Sequence, residues 1–186
     1  KEHMMFPRTF GLLDSEERTL PKNTAAVESL AQRYPGKVSV LLAPAASDLY
    51  KENVPANAPL LDEDACLDQL SAAVQAAGGR FVDVREVLSA HKSEYIYYRT
   101  DHHWTTLGAY YAYSRLCGEL GLTPFDPAAH TARTAEGFYG THYSKARTWN
   151  AVPDTITYYD LPNPLTIYNV TAAGQPADGQ TTGLYD

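Results

Sequence analysis

The chain has 186 residues, 44% of them hydrophobic and 20% charged, which is enough for one folded domain with a sizeable core. Its formal net charge of -7 argues against a nucleic-acid-binding protein, which needs a basic face to displace counterions, and against docking to an anionic membrane surface. No apolar run approaches the ~20 residues that a membrane-spanning helix requires.

The first two thirds of the chain alternate between helical and strand patterns. Apolar residues at spacings of three and four predict helices over 23–34 and 63–77, a short helical piece at 85–92, and a further helix that ends near Leu120. The runs KVSVLLAP and RFVDV lie between turn-forming residues and predict buried strands. This alternation is typical of βαβ units, so the sequence predicts an α/β fold with a mostly parallel sheet and helices on both faces.

The last third has a different composition. Residues 126–151 contain few aliphatic side chains and predict irregular structure, whereas TITYYDL and LTIYNVT predict two strands. The segment PNP between them indicates an edge pair or a loose hairpin, and the final AAGQPADGQTTG predicts a loop. We therefore expect residues 1–125 to form the α/β core and residues 126–186 to form a Tyr-rich irregular and β excursion of the same domain.

The stretch YRTDHHWTTLGA concentrates side chains that do chemistry. If it is extended where it leaves the sheet, Asp101 and His103 share one face and His102 points to the other. Asp101 can then accept the ring N–H of His103, which leaves the second ring nitrogen free to take a proton from a nucleophile. The pair would make two thirds of a hydrolase triad at the carboxyl end of a strand, where open α/β sheets place their sites.

Two other interpretations of this stretch stay open on the residues alone. An Asp-x-His pair is more often a satisfied polar pair on a loop than a catalytic group. Asp101, His102 and His103 also offer metal ligands, with a further histidine to complete the set from among His91, His130 and His142. Adjacent histidines in a strand diverge, however, and no HExxH motif or cysteine pair supports zinc, so we expect no metal and no other cofactor.

The longer run YYRTDHHWTTLGAYYAY resembles the signature of the DHHW protein family. VSVLLAPAASDLYKENVP upstream and GFYGTHYSKA downstream resemble two further segments of that family. The family is similar to the alginate O-acetyltransferase accessory branch (AlgX/AlgJ-like) of the SGNH/GDSL-like superfamily of esterases and acyltransferases. The resemblance implies an SGNH-like three-layer α/β/α fold with a mostly parallel sheet, present here as an incomplete domain, plus a small irregular and β excursion near the C-terminus.

The same resemblance implies a Ser-His-Asp mechanism in which Asp101 is the orienting acid and His103 the general base. The acyl group would pass from the serine to water or to a sugar hydroxyl, so esterase and O-acetyltransferase both stay open. It also implies an extracellular or cell-surface location, with any signal or anchor outside this chain, a polysaccharide or acylated sugar as substrate, and a membrane-bound O-acyltransferase as a candidate partner. We expect the substrate to contact Trp104, Tyr98, His102, Tyr143 and Ser144.

The nucleophile is the part of this mechanism for which the sequence departs from the family. In the accessory branch the serine lies in an Asp-Ser turn well after the Asp-x-His-Trp segment, and no Asp-Ser follows Trp104 here. Ser144 and Ser47 fit that position poorly. We expect the serine to lie beyond Asp186, in a longer protein of which this chain is a part. The alternative is a carbohydrate-binding pseudoenzyme that lacks the nucleophile.

Overall fold

The structure, a computed structural model, describes residues 3–7, 19–161, 165–170 and 176–182. The α-helices are α1 (Leu20–Arg33), α2 (Ala46–Leu49), α3 (Glu63–Ala76), α4 (Arg85–Ala90), α5 (Thr106–Leu120) and α6 (Thr141–Ala146). The strands are β1 (Ser39–Leu41), β2 (Arg80–Val82), β3 (Ala132–Phe138), β4 (Asp154–Tyr159), β5 (Leu165–Val170) and β6 (Pro176–Thr182). Short 3-10 helices span Lys51–Asn53 and Pro127–Ala129.

Helix α3 illustrates why the predicted helices form where they do. The Asp62 side chain accepts a hydrogen bond from the Ala65 N–H at 3.1 Å and so satisfies one of the free donors of the first turn. Leu67, Leu70 and Val74 recur at helical spacing, and all three are buried. The helix packs against α1 on one side and β2 on another, which joins it to the parallel strands.

Strands β1 and β2 form a parallel pair, in register from Ser39 opposite Arg80 to Leu41 opposite Val82. The connection between them contains α2 and α3, as a parallel pairing requires. The mixed α/β class is therefore confirmed. In the described part of the chain parallel pairing is limited to these two three-residue strands, so the larger three-layer sheet stays a prediction.

The pairing of the later strands differs from the expected one. The two predicted strands are present as β4 and β5, but β4 pairs antiparallel with β3 and β5 pairs antiparallel with β6. The predictions of irregular structure at 132–138 and of a loop at 176–182 are wrong. Strand β3 (ARTAEGF) is almost wholly exposed, so backbone hydrogen bonding to β4 holds it in place and no alternating apolar pattern marks it. The proposed division of the domain at residue 125 stays a prediction.

A hydrophobic cluster joins the central elements. Its buried members come from α2, β2, α4, α5 and the segment before α5: Ala46, Tyr50, Val82, Val84, Leu88, Ile96, Tyr97 and Ala112. Burying side chains of this size contributes about 1.5–3 kcal/mol each for the larger aliphatic residues. The cluster thereby fixes the segment that leads into the Asp-His-His-Trp stretch against the helices and the parallel strands.

A hairpin connects that cluster to helix α5. Tyr97 and Trp104 form an antiparallel bridge, the Thr105 N–H donates to the Ile96 carbonyl at 2.9 Å, and the Tyr98 N–H donates to the His103 carbonyl at 3.2 Å. The Thr105 side chain caps α5 by accepting from its third residue, Gly108. The hairpin and the helix start therefore form one continuous unit.

Gly108 is required where α5 crosses this hairpin. A Cβ at that position would lie 2.3 Å from the Ile96 carbonyl oxygen and 3.1 Å from the Trp104 Cβ. Gly118, in the same helix, has nothing within 4 Å of the corresponding point. The two glycines are thus a matched pair for testing the contact.

We expect Gly108→Ala to lower the free energy of unfolding by about 1–3 kcal/mol, because backbone must move to admit the methyl group. Gly118→Ala is expected to raise it by about 0.5–1 kcal/mol through its better helix propensity. Urea denaturation followed by circular dichroism measures both. Equal effects of the two substitutions would contradict the close approach of α5 to the hairpin.

Candidate active site

The tip of the hairpin brings Asp101, His102 and His103 together. Residues 99–103 bend instead of continuing as an extended strand, because the chain reverses between Tyr98 and Trp104. The expectation that the two histidines would lie on opposite faces is therefore wrong. Their ring centroids are 3.8 Å apart.

Asp101 and His103 form a directly hydrogen-bonded pair. The Asp101 side chain is only 5% exposed, and its Oδ1 lies 2.6 Å from His103 Nδ1 and accepts from the His103 backbone N–H at 3.0 Å. The other oxygen, Oδ2, accepts from the Thr141 N–H at 2.7 Å. The His103 side chain is 65% exposed, so the ring nitrogen that does not face Asp101 is accessible to a reactant.

Hydrogen bonding keeps the Asp101 carboxylate ionised. Burial opposes its charge, but the N–H groups of Thr141 and His103 and the His103 ring outweigh burial and hold the pKa of Asp101 well below its usual range. A carboxylate that stays charged can fix the orientation of the imidazole ring and stabilise the imidazolium that forms when His103 takes a proton.

His102 faces the same carboxylate from a second direction. Its Nδ1 is 2.7 Å from the Thr141 Oγ1 and 3.5 Å from Asp101 Oδ1. One ligand atom each from Asp101, His102 and His103 lie within 4.8 Å of one another, so the three residues form a candidate set of metal ligands. None of the three histidines that the sequence offered as a further ligand joins this set. His91 pairs with Glu94, and His130 pairs with the Asp160 carbonyl. The buried His142 ring has its centroid 6.0 Å from that of His102.

The two exposed histidines open onto a groove of about 560 Å³. Residues 42–45, which directly follow β1, form one wall, and the start of α3 forms a second wall with Glu63 and Cys66. The hairpin supplies the rest through Tyr97, His102, His103 and Trp104. The groove thus lies at the carboxyl end of a parallel strand, where α/β sheets commonly bind ligands.

Glu63 is the carboxyl group among the residues that line this groove. Its Oε2 accepts from the Ala45 N–H at 2.8 Å, which ties helix α3 to the segment after β1. Burial raises the pKa of Glu63, and the Ala45 hydrogen bond opposes that rise only in part.

The remaining residues expected to contact substrate lie in different environments. Trp104 lines the groove, but Tyr98 is buried and packs edge-on against Tyr95 and Phe138. Tyr143 and Ser144 lie in α6 and do not line the groove. The Tyr143 ring is 4.2 Å from that of Tyr139, and the Ser144 hydroxyl donates to the Gly140 carbonyl at 3.1 Å.

Several residues at the site were not anticipated from the sequence, and Gly140 and Asp154 are two of them. Gly140 passes so close to Asp101 that a Cβ at position 140 would lie 2.3 Å from the Asp101 Cβ. Asp154, the first residue of β4, is completely buried behind the hairpin. Gly140 lies within GFYGTHYSKA, a segment that the resemblance had marked, whereas no local pattern distinguishes Asp154 from any other acidic residue before a strand.

Comparison with known protein families agrees with the Asp-His-His-Trp motif of residues 101–104. The model of the DHHW protein family matches residues 18–171. The chain belongs to the DHHW protein family. No curated protein is similar enough in sequence to be matched.

Solved structures of similar fold include a DHHW family protein from Eubacterium siraeum, with 27% identity and a TM-score of 0.67 over 83% of this chain. The O-acetyltransferase domain of Pseudomonas putida AlgJ has 20% identity and a TM-score of 0.56 over 84% of this chain. Bacillus cereus PatB1 with a sulfonyl adduct has 14% identity and a TM-score of 0.61 over 88%. This DHHW family chain covers 53%, 59% and 56% of those three chains, respectively, so it spans a little over half of their lengths.

The similarity to AlgJ and PatB1 is below 25% identity and concerns the fold. It agrees with the α/β class. Within the described residues, no helix is both long enough and apolar enough to span a membrane.

The lowered pKa of Asp101 predicts a specific pH dependence of stability. The unfolded carboxyl group has a pKa of about 3.9, and the folded one has a lower pKa. The ionised form therefore contributes stability that is fully present above the unfolded pKa and is lost as the pH falls toward the folded pKa. Asp101→Asn removes this titrating group.

We expect the difference in free energy of unfolding between wild type and Asp101→Asn to be largest near neutral pH and to shrink below about pH 4. Urea denaturation at a series of pH values measures it. Asp126→Asn, at an exposed carboxylate outside the groove, is the matched control substitution. A difference for Asp101→Asn that stays constant down to about pH 2 would contradict the hydrogen-bonded carboxylate.

Proposed function

We propose that this protein carries the acid and base of an SGNH-like acyltransferase or esterase that acts on O-acyl groups of polysaccharide. The observation that carries the proposal is the 2.6 Å contact between Asp101 and His103 Nδ1, formed by a buried carboxylate and an exposed imidazole beside a groove. Such a pair has the geometry that a general base requires, with one ring nitrogen fixed and the other free.

The chemistry assigned to the pair proceeds in two half-reactions. The free ring nitrogen of His103 takes the proton of a serine hydroxyl, the serine oxygen bonds to the acyl carbon, and the imidazolium returns the proton to the departing alcohol. A sugar hydroxyl or water then loses its proton to His103 and attacks the acyl carbon. The bond from that carbon to the serine oxygen breaks, and the imidazolium returns the proton to the serine oxygen. Asp101 stays ionised throughout and stabilises the imidazolium.

We place the nucleophilic serine outside these 186 residues. In the described part of the chain no serine hydroxyl is hydrogen-bonded to His103, and the Ser144 hydroxyl is bonded within its own helix. The proposal is consistent with the coverage of the similar structures, of which this chain spans a little over half.

The similar proteins and the groove support the proposed substrate class. The AlgJ domain is described as an O-acetyltransferase, and PatB1 carries a sulfonyl adduct, which is the product expected when a nucleophilic side chain attacks sulfur. Trp104 gives the groove aromatic surface, which suits a sugar ring. We accordingly propose a polysaccharide as acceptor or substrate, an extracellular or cell-surface location, and a membrane-bound O-acyltransferase as the source of the acyl group.

The test measures acyl transfer by the full-length protein with p-nitrophenyl acetate as donor and oligosaccharide or water as acceptor. We expect His103→Ala to lower kcat/KM by about 10²–10⁴-fold and Asp101→Asn by up to about 10⁴-fold. His91→Ala is the matched control, because His91 is likewise paired with a carboxylate, Glu94 at 2.5 Å, and does not line the groove.

His102→Ala is expected to cost less than His103→Ala, because His102 has the longer contact with Asp101. Equal rates for His103→Ala and His91→Ala would refute the proposed base. Oligosaccharide binding without acetyl transfer by the full-length wild type would identify a carbohydrate-binding protein that lacks catalysis.

A metal-dependent hydrolase is the second candidate, because Asp101, His102 and His103 offer three clustered ligand atoms. The hydrogen bond between Asp101 and His103 competes with that use, since the same atoms would have to turn toward the ion. We therefore expect activity to survive dialysis against a chelator. Activity that is lost with chelator and restored by Zn²⁺ would favour the metal enzyme, provided that Zn²⁺ restores no activity to His102→Ala.

A further inference from the structure

Asp154 is a second buried carboxylate, and it does not line the groove. Its Oδ1 accepts from the Tyr95 hydroxyl and from the Arg99 N–H, the latter at 2.7 Å. Its Oδ2 accepts from the N–H and the hydroxyl of Thr100, at 2.8 and 2.5 Å. All four donors therefore belong to the segment that immediately precedes Asp101, and this one carboxylate holds that segment from behind.

Thr100 transmits this hold to the start of α6. While its hydroxyl donates to Asp154, the same oxygen accepts from the Gly140 N–H at 2.9 Å. Its backbone carbonyl accepts from the N–H groups of His142 and Tyr143, at 3.0 and 3.1 Å. Thr100 is completely buried, so each of these bonds is shielded from water.

The segment docked on Thr100 supplies a donor to the catalytic carboxylate. The Thr141 N–H, which lies between these anchored residues, donates to Asp101 Oδ2 at 2.7 Å. Asp101 in turn fixes the His103 ring through Oδ1. Asp154 is thus connected to the imidazole through Thr100, the backbone of Gly140 and Thr141, and Asp101.

We propose that Asp154 and Thr100 are positioning residues for the Asp101–His103 pair, an inference that rests on the proposed function for its catalytic meaning. The Thr100 hydroxyl is the link, because it is at once the donor to Asp154 and the acceptor that places the Thr141 segment. A displacement of about 1 Å at a catalytic group lowers the rate by about 100-fold. Loss of the hydroxyl should therefore reach His103 although Thr100 contacts no substrate.

Substitution of Asp154 itself is a poor test. An Asn at position 154 must point its NH₂ group at the Arg99 N–H or at the Thr100 N–H, and this donor–donor clash in a buried site threatens folding. Thr100→Val keeps the side-chain shape and removes only the hydroxyl. Thr100→Ser keeps the hydroxyl and is the conservative variant expected to retain function.

The readout is the ¹H NMR signal of the His103 Nδ1–H proton in the full-length protein, identified by its absence from His103→Ala. A proton in a 2.6 Å hydrogen bond to a carboxylate resonates far downfield of ordinary ring N–H protons. We expect this signal to be lost or shifted upfield in Thr100→Val and kept in Thr100→Ser. We also expect kcat in Thr100→Val to fall by about 100-fold, with KM unchanged because Thr100 does not line the groove.

Thr106→Val is the matched control. The Thr106 hydroxyl donates to the Thr157 carbonyl in β4, and the Thr106 side chain is also hydrogen-bonded to Tyr98. This variant therefore loses a bond to the same strand but none to residues 99–103. It is expected to lose stability while keeping both the signal and kcat. If Thr100→Val does not fold, Thr100→Ala removes the same hydroxyl with less bulk and takes its place.

A folded Thr100→Val protein with the wild-type signal and wild-type kcat would overturn the inference, as would a Thr106→Val protein that loses the signal equally. A wild-type protein that shows the signal but transfers no acyl group would refute the proposed function alone. In that case the signal in Thr100→Val decides the positioning inference without reference to activity.

Discussion

The Asp101 carboxylate joins two parts of the chain that are far apart in sequence. It is almost completely removed from water, and an ionised carboxylate in that position is tolerable only where donors replace the lost hydration. The hairpin supplies two of those donors through His103, and the start of α6 supplies the third through Thr141. The requirement to satisfy one buried charge therefore determines how the hairpin and the 140–146 segment meet.

The same requirement explains the shape of the site. Gly140 is the residue that lets the backbone approach Asp101, since any side chain there would overlap the carboxylate. Asp154 has a similar arrangement, with four donors around a carboxyl group that has no exposure. Hydrogen bonds to these two carboxylates add to the apolar packing that fixes the hairpin. Hydrogen bonds to charged groups contribute about 1.5–3 kcal/mol each.

Local patterns in the sequence were sufficient for α1, α3, α4 and α5 and for the Asp101–His103 pair, but not for the short helices α2 and α6. Neighbouring residues determine these features among themselves. Examples are the apolar stripe and the Asp62 cap of α3, and the Gly121 C-cap of α5 with its φ of 67°. The Asp-x-His spacing likewise suffices for Asp101 and His103 to meet, although the hairpin turn, and not a flat strand, brings them together. Because the turn was missed, the relation of His102 to His103 was predicted wrongly.

What the sequence did not indicate depends on partners distant along the chain. Strand β3 is exposed and is defined by its ladder to β4, so its own composition carries no strand signal. Asp154 acquires its role from donors 54–59 residues earlier, and an isolated Asp before a strand has many possible environments. Residues 126–186 were described as an excursion, yet the charge of Asp101 is satisfied only when Thr141 is present.

The dependence of Asp101 on Thr141 has a consequence for the order in which the parts of the protein fold. A nascent chain emerges N-terminus first, so the hairpin is complete while its partners at positions 141 and 154 are still to be synthesised. Until positions 141 and 154 have been synthesised, burial of Asp101 would leave its carboxylate without enough hydrogen-bond donors. The hairpin tip is therefore more stable while it is hydrated. Asp101 and His103 thus take up their final geometry late in folding, after the parallel strands and their helices have had the opportunity to pack.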